Sequence, residues 1–217
     1  MSAGFTAKNV PNMVGKVALI TGANTGLGFE AAKVLAANNA QVIIACRNVD
    51  KAKVAVAAIQ AAAPAADVSS ITLSLDDLNS VKRAVSELSG LDKLDLLINN
   101  AGIMVPPLER TVDGFESQFG VNHLGPFALT GLLLDKMINT SGARIVNTSS
   151  LAANSGKILF ADVNADRGYA AMQRYSMSKL ANLMYSAELD QRLKNAGAQC
   201  ISVACHPGVA TTELSRY

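Results

Sequence analysis

Tyr175 and Lys179 stand four residues apart in R-Y-S-M-S-K-L-A-N, residues 174–182. On a helix, positions i and i+4 share a face, so phenol and ammonium lie one above the other. An ordinary surface pair has this spacing. So does an acid held beside a cation. A free tyrosine has a pKa of about 10. A neighbouring ammonium stabilises the tyrosinate and brings proton exchange toward neutral pH.

A second group of residues suits an anion. T-G-A-N-T-G-L-G, residues 21–28, places Gly22, Gly26 and Gly28 directly after an apolar run. Glycines there let the backbone turn tightly and let a pyrophosphate approach a helix N-terminus, where free N–H groups favour negative charge. A turn that needs positive φ would use the same residues. The next apolar run ends in I-I-A-C-R-N, with Arg47 where dinucleotide folds that take NAD carry an acid. A guanidinium there suits the 2′-phosphate of NADP through paired, charge-assisted hydrogen bonds. A solvated surface arginine is the alternative. I-N-N-A-G, residues 98–102, puts Asn99 and Asn100 at the end of another apolar run, to bind a ribose or to hold the next strand.

The elements that would position these residues alternate. Strands are expected at 16–20, 41–46, 69–75, 94–100, 143–150 and 199–205. Helices are expected at 28–39, 50–63, 78–89 and 172–195, with a long helical region from about 100 to 140 broken near Gly125-Pro126. Most of the strands are apolar without alternation, as in a parallel sheet covered on both faces. Strand–helix alternation with short connections predicts a doubly wound, three-layer α/β/α sheet.

Length and composition agree. The 217 residues suit one domain, half of them apolar, with a formal net charge of +2. No Lys/Arg block points to nucleic acid. No apolar run approaches membrane-spanning length, and a cytoplasmic protein is the expectation. Cys46, Cys200 and Cys205 form no C-x-x-C pair and are expected to be small core residues of a reducing compartment. His123 and His206 are the two histidines, with no ligand-spaced cluster, so no metal site is expected. The G-x-S-x-G elbow of an esterase is absent.

T-G-x-x-x-G-x-G, N-N-A-G, the Asn of V-N-H-L-G-P-F, the Ser closing R-I-V-N-T-S-S, Y-x-x-x-K and H-P-G-V-A-T-T-E-L occur in that order. Together they resemble the short-chain dehydrogenase/reductase family, from about residue 14 to 214. A-C-R-N, G-F-E-S-Q-F-G-V-N-H-L-G-P-F-A-L-T and Y-S-M-S-K-L-A-N-L-M-Y are similar to its retinol dehydrogenase-like branch, with protochlorophyllide reductase more distant. The resemblance implies a Rossmann-like fold and a catalytic tetrad of Asn122, Ser150, Tyr175 and Lys179. It implies cofactor contacts at Gly22, Asn24, Thr25, Gly26, Leu27, Gly28, Arg47, Asn99, Ala101, Gly102, Tyr175, Lys179, Pro207, Val209 and Thr212. The implied activity is NADP(H)-dependent hydride exchange with a small-molecule carbonyl or alcohol, expected to be lipophilic. An NADPH-binding scaffold or redox sensor with little catalysis is the alternative. Homo-oligomers are compatible with the family.

Two features depart from the family pattern. The third strand usually ends in an Asp that meets the adenine, whereas L-S-L-D-D-L places Ser74 there and Asp76 and Asp77 later. The adenine contact is therefore unassigned. Family members also continue beyond the position of Tyr217, so the sheet is expected to lack the usual C-terminal strand.

Overall fold

The computed structural model describes residues 4–208. Its sheet contains β1 (Val17–Thr21), β2 (Gln41–Cys46), β3 (Val68–Thr72), β4 (Leu96–Asn99), β5 (Arg144–Thr148) and β6 (Ile201–Cys205). All neighbours are parallel, in the order β3-β2-β1-β4-β5-β6. The order reverses between β1 and β4, which opens a crevice at their carboxyl ends.

Helices α1 (Gly26–Ala37) and α2 (Val49–Ala62) cover one face. Ile20, Val42 and Ile44 of the strands meet Ala32, Ala36, Ala55 and Ile59 there. Helices α3 (Leu78–Glu87), α5 (Gly125–Leu133) and α6 (Ala171–Asn195) cover the other. Leu19, Ile43, Leu97 and Ile145 meet Val81, Leu129, Leu133 and Leu193 on that side. Strand side chains alternate between faces, and the central strands β1 and β2 are covered on both, so they are apolar almost throughout, whereas β3 at the edge carries the exposed Ser69, Ser70 and Thr72. Caps place two of the helices: Asn48 accepts the Lys51 N–H at 2.8 Å before α2, and Asp77 accepts the Asn79 N–H at 2.8 Å before α3.

The region from 100 to 140 differs from expectation. Residues 101–116 are not helical; Pro106 and Pro107 each lack an N–H, and Gly114 turns at φ 86°. Helix begins only at α4 (Ser117–Phe119), capped by Glu116, whose carboxylate accepts the N–H groups of Gln118 and Phe119. It widens into a π-helical stretch, Gly120–Leu124, before α5. The break expected near Gly125-Pro126 is this stretch. Pro126 has no N–H to give the Asn122 carbonyl its ordinary helical partner. Asn182 of α6 donates its amide N–H to that carbonyl at 2.9 Å instead.

Between β5 and α6, residues 151–170 form short 3-10 turns and loop. Buried Arg174 holds them, bonding the Asp162 carboxylate at 2.6 Å and the Gly168 carbonyl at 3.1 Å. Cys46 and Cys200 are buried as expected, but Cys205 is exposed, because it ends the edge strand β6. No described helix is long and apolar enough to cross a membrane.

Candidate active site

The glycine turn lies at the crevice. Gly22 and Gly26 have φ of 66° and 60°, where a side chain would be strained. A Cβ on Gly28 would come within 2.4 Å of Asn100 Nδ2 and 2.8 Å of the Gly22 carbonyl oxygen. Thr25 is the N-cap residue of α1, but its hydroxyl makes no cap bond, so the first-turn N–H groups beside Leu27 remain available to an anion. Thr21 Oγ1 accepts the N–H groups of Asn100 and Ala101, both at 3.0 Å, and Asn100 Nδ2 donates to the Thr21 carbonyl at 2.9 Å. These bonds join the ends of β1 and β4.

A cavity of about 230 Å³ follows, lined among others by Gly22, Asn24, Arg47, Ala101 and Gly102. Its backbone donors, its glycines and the Arg47 guanidinium fit the adenosine and phosphate half of a dinucleotide. A larger hollow, about 380 Å³, lies under Ala7 and Lys8 against α1 and α2 and is remote from this chemistry. Asn99 does not belong to the crevice. Its amide donates at 3.0 Å to Thr130 Oγ1 and to Asn147 Oδ1 inside the sheet–helix interface. Side chains alternate along β4, so Asn99 faces α5 and Asn100 holds the turn. Asn99 is thus a structural amide, not a side-chain contact for cofactor.

Tyr175 and Lys179 share one face of α6, and both are buried. Lys179 Nζ lies 5.7 Å from the Tyr175 ring centroid and donates to the Thr148 carbonyl at 3.1 Å. It also stands against Gly102, where a Cβ would be 3.5 Å away. The two serines after β5 differ. Ser149 is buried and donates to the Lys179 carbonyl at 2.7 Å. Ser150 is only half-buried and accepts the Ala152 N–H at 3.2 Å. Burial pushes the Tyr175 phenol above its ordinary range, and the Ser150 hydroxyl acts against that rise. Burial pushes Lys179 down to about 8, with a smaller opposing pull from Cys205. Desolvation is the larger effect on both groups, so Tyr175 is not lowered as its spacing from Lys179 predicts.

Asn122 ties the chain leaving β4 to α6. Its Oδ1 accepts the Ile103 N–H at 2.8 Å, and its Nδ2 donates to the Ile103 carbonyl and Ser178 Oγ, each at 3.0 Å. Its carbonyl meets α6 as well, accepting from Asn182. Asn182 also donates to the Thr148 carbonyl at 3.3 Å, while His123 Nδ1 meets Asn182 Oδ1 at 3.0 Å. An amide oxygen only accepts, so His123 must carry its proton on Nδ1. Burial lowers the His123 pKa, Asn182 opposes that shift, and the ring packs against Phe119 at 5.1 Å and Tyr185 at 6.0 Å between centroids. Sequence reasoning missed Asn182 and Thr21. A polar residue one helical turn beyond Lys179 was a usable signal for the first.

Pro207 is exposed beyond β6, and the Gly208 N–H donates to His206 Nδ1 at 3.1 Å. Val209 and Thr212 lie outside the described residues.

A family model described as short chain dehydrogenase matches residues 16–217. The chain belongs to the short-chain dehydrogenase family. Retinol dehydrogenase 11 from Mus musculus is 45% identical over 218 residues, covering 100% of this chain and 68% of its own length. Retinol dehydrogenase 12 from the same species is 46% identical, covering 98% of this chain and 67% of its own. This dehydrogenase thus lies in the retinol dehydrogenase-like branch and is an oxidoreductase acting on alcohol or carbonyl groups. A crystal structure of a Mycobacterium paratuberculosis protein superposes with TM-score 0.87 at 43% identity, covering 99% of this chain and 76% of that one. Two further structures bracket the cofactor. A Burkholderia cenocepacia enzyme in complex with NADP has TM-score 0.76 at 28% identity, covering 94% of this chain and 78% of its own. A Burkholderia phymatum enzyme in complex with NAD has TM-score 0.77 at 26% identity, covering 95% and 70%. Family members of this fold therefore bind NAD or NADP.

Proposed function

We propose that the whole chain acts as one unit that exchanges hydride between NADP(H) and a lipophilic carbonyl or alcohol. The convergence of Tyr175, Lys179 and Ser150 at the β4 and β5 ends, beside a glycine-lined crevice, carries this reading. When bound, NADP(H) would supply or accept the hydride. The chain's residues do the rest. In the reducing direction Tyr175 donates its phenolic proton to the substrate oxygen, and Ser150 Oγ orients that oxygen by a hydrogen bond. Lys179 holds the nicotinamide ribose and offsets negative charge as it develops on Tyr175. Asn122 fixes the strand exit through Ile103, and its carbonyl anchors the relay that returns a proton to Lys179. Arg47 supports NADP over NAD, since an exposed guanidinium at the end of β2 pairs with a 2′-phosphate.

The test is a panel of aldehydes and ketones with NADPH and of alcohols with NADP+, comparing wild type and Tyr175→Phe. Turnover should fall by about two orders of magnitude or more in the variant, with NADPH binding retained. Equal turnover in the two proteins overturns the mechanism. NADPH binding without oxidation across the panel favours a scaffold or sensor instead.

A further inference from the structure

The two acids that follow β3 have different partners. Asp77 is spent on capping α3 and pairing with Arg83 at 3.2 Å. Asp76 is not. Its carboxylate accepts a short hydrogen bond from Ser74 Oγ, and its other oxygen lies 3.8 Å from Arg47 Nη1. Arg47, Ser74 and Asp76 all line the adenosine-side cavity. Its other charged residues are Arg110, which is tied to Asp166 at 2.7 Å, and Glu109.

We propose that Asp76 is a specificity residue that works against Arg47 and holds down the preference for a 2′-phosphate. The inference rests on the NADP(H) reading above. Arg47 can give its paired donors to a phosphate only by leaving Asp76. The pair itself is exposed, with Arg47 79% accessible, so breaking it costs little. The larger effect is repulsion. A phosphate seated on Arg47 sits within a few ångströms of a carboxylate that Ser74 keeps in place. A ribose hydroxyl meets no such penalty, because it can donate to that carboxylate. One crevice thus carries a donor for the phosphate of NADP and an acceptor for the hydroxyl of NAD.

Calorimetric titration of the full chain with 2′,5′-ADP and with ADP separates these effects. Asp76→Asn should tighten 2′,5′-ADP by about fivefold or more at low salt and leave ADP unchanged or weaken it. The gain should shrink as salt rises. Asp76→Ser should behave alike, which covers a direct bond from the Asn amide to phosphate. Glu109→Gln, in the same cavity but unpaired with Arg47, should change the ratio less. An unchanged ratio in both Asp76 variants, or an equal change in Glu109→Gln, overturns the proposal. The NADP(H) reading fails separately, if wild type binds 2′,5′-ADP no better than ADP; Asp76 is judged on the change between variants. If neither ligand binds wild type, both readings fall.

Discussion

Lys179 is a buried cation whose pKa is pushed down to about 8 by desolvation. The folded chain therefore sheds this proton before the unfolded chain does, whose lysines titrate near 10.4. Between those values the unfolded state binds more protons, so stability from this group rises with pH. Below about 8 the charged side chain is a net cost. Lys179→Met should accordingly be more stable than wild type at pH 7, by up to roughly 3 kcal/mol at 1.36 kcal/mol per pKa unit. The difference should shrink toward pH 9.5. Urea unfolding at the two pH values measures it, and a difference independent of pH contradicts a buried, shifted lysine. The i+4 spacing to Tyr175 is legible in the sequence. The direction of the Tyr175 shift is not. It depends on how much water the assembled site excludes, and spacing along a helix does not report that.

At the scale of elements, the turn from β1 into α1 is shaped by backbone contacts that admit no side chain. Gly28→Ala would place a Cβ 2.8 Å from the Gly22 carbonyl, a backbone atom that cannot swing away. The variant should lose at least about tenfold in 2′,5′-ADP affinity and about 1–3 kcal/mol of stability, the usual cost of overpacking. Titration and thermal unfolding read the two effects. Near-normal binding would mean that the turn is not the anion site. The strands, α1, α2, α3 and α6 were predicted within a few residues, because apolar period and caps are local signals. The stretch 101–116, expected to be helical, is not. Pro106, Pro107 and Gly114 disfavour helix in that stretch. The π-helical stretch was visible only as a break, since its carbonyl partner, Asn182, is 60 residues away.

Across the whole molecule, the end of the sheet opposite the crevice is held by one buried acid. Asp95 accepts from Lys16 Nζ at 2.8 Å and the Val17 N–H at 3.0 Å, and pairs with Lys93 at 3.2 Å. Burial raises its pKa, but the Lys16 and Val17 bonds outweigh burial and hold it below the usual carboxylate value. A carboxyl lowered by folding stabilises the fold above its unfolded pKa near 4, and that stability is lost as pH falls through the folded value. Asp95→Asn should cost about 1–3 kcal/mol at pH 7. Its stability should also fall less steeply than wild type's below pH 4. Parallel acid denaturation curves for the two proteins would remove Asp95 from that role.

By itself the sequence determined the fold class, the glycine turn after the first strand and the Tyr–Lys spacing. Each rests on a local rule: strand and helix period, glycine at positive φ, or i+4 geometry. Tertiary structure alone decided which of two neighbouring side chains faces the crevice. It turned Asn99 inward and Asn100 to the glycine turn, spent Asp77 on a cap, and left Asp76 beside Arg47. Those outcomes depend on sheet register and on the partners brought by distant segments, and a one-residue step along a strand reverses the face a side chain presents.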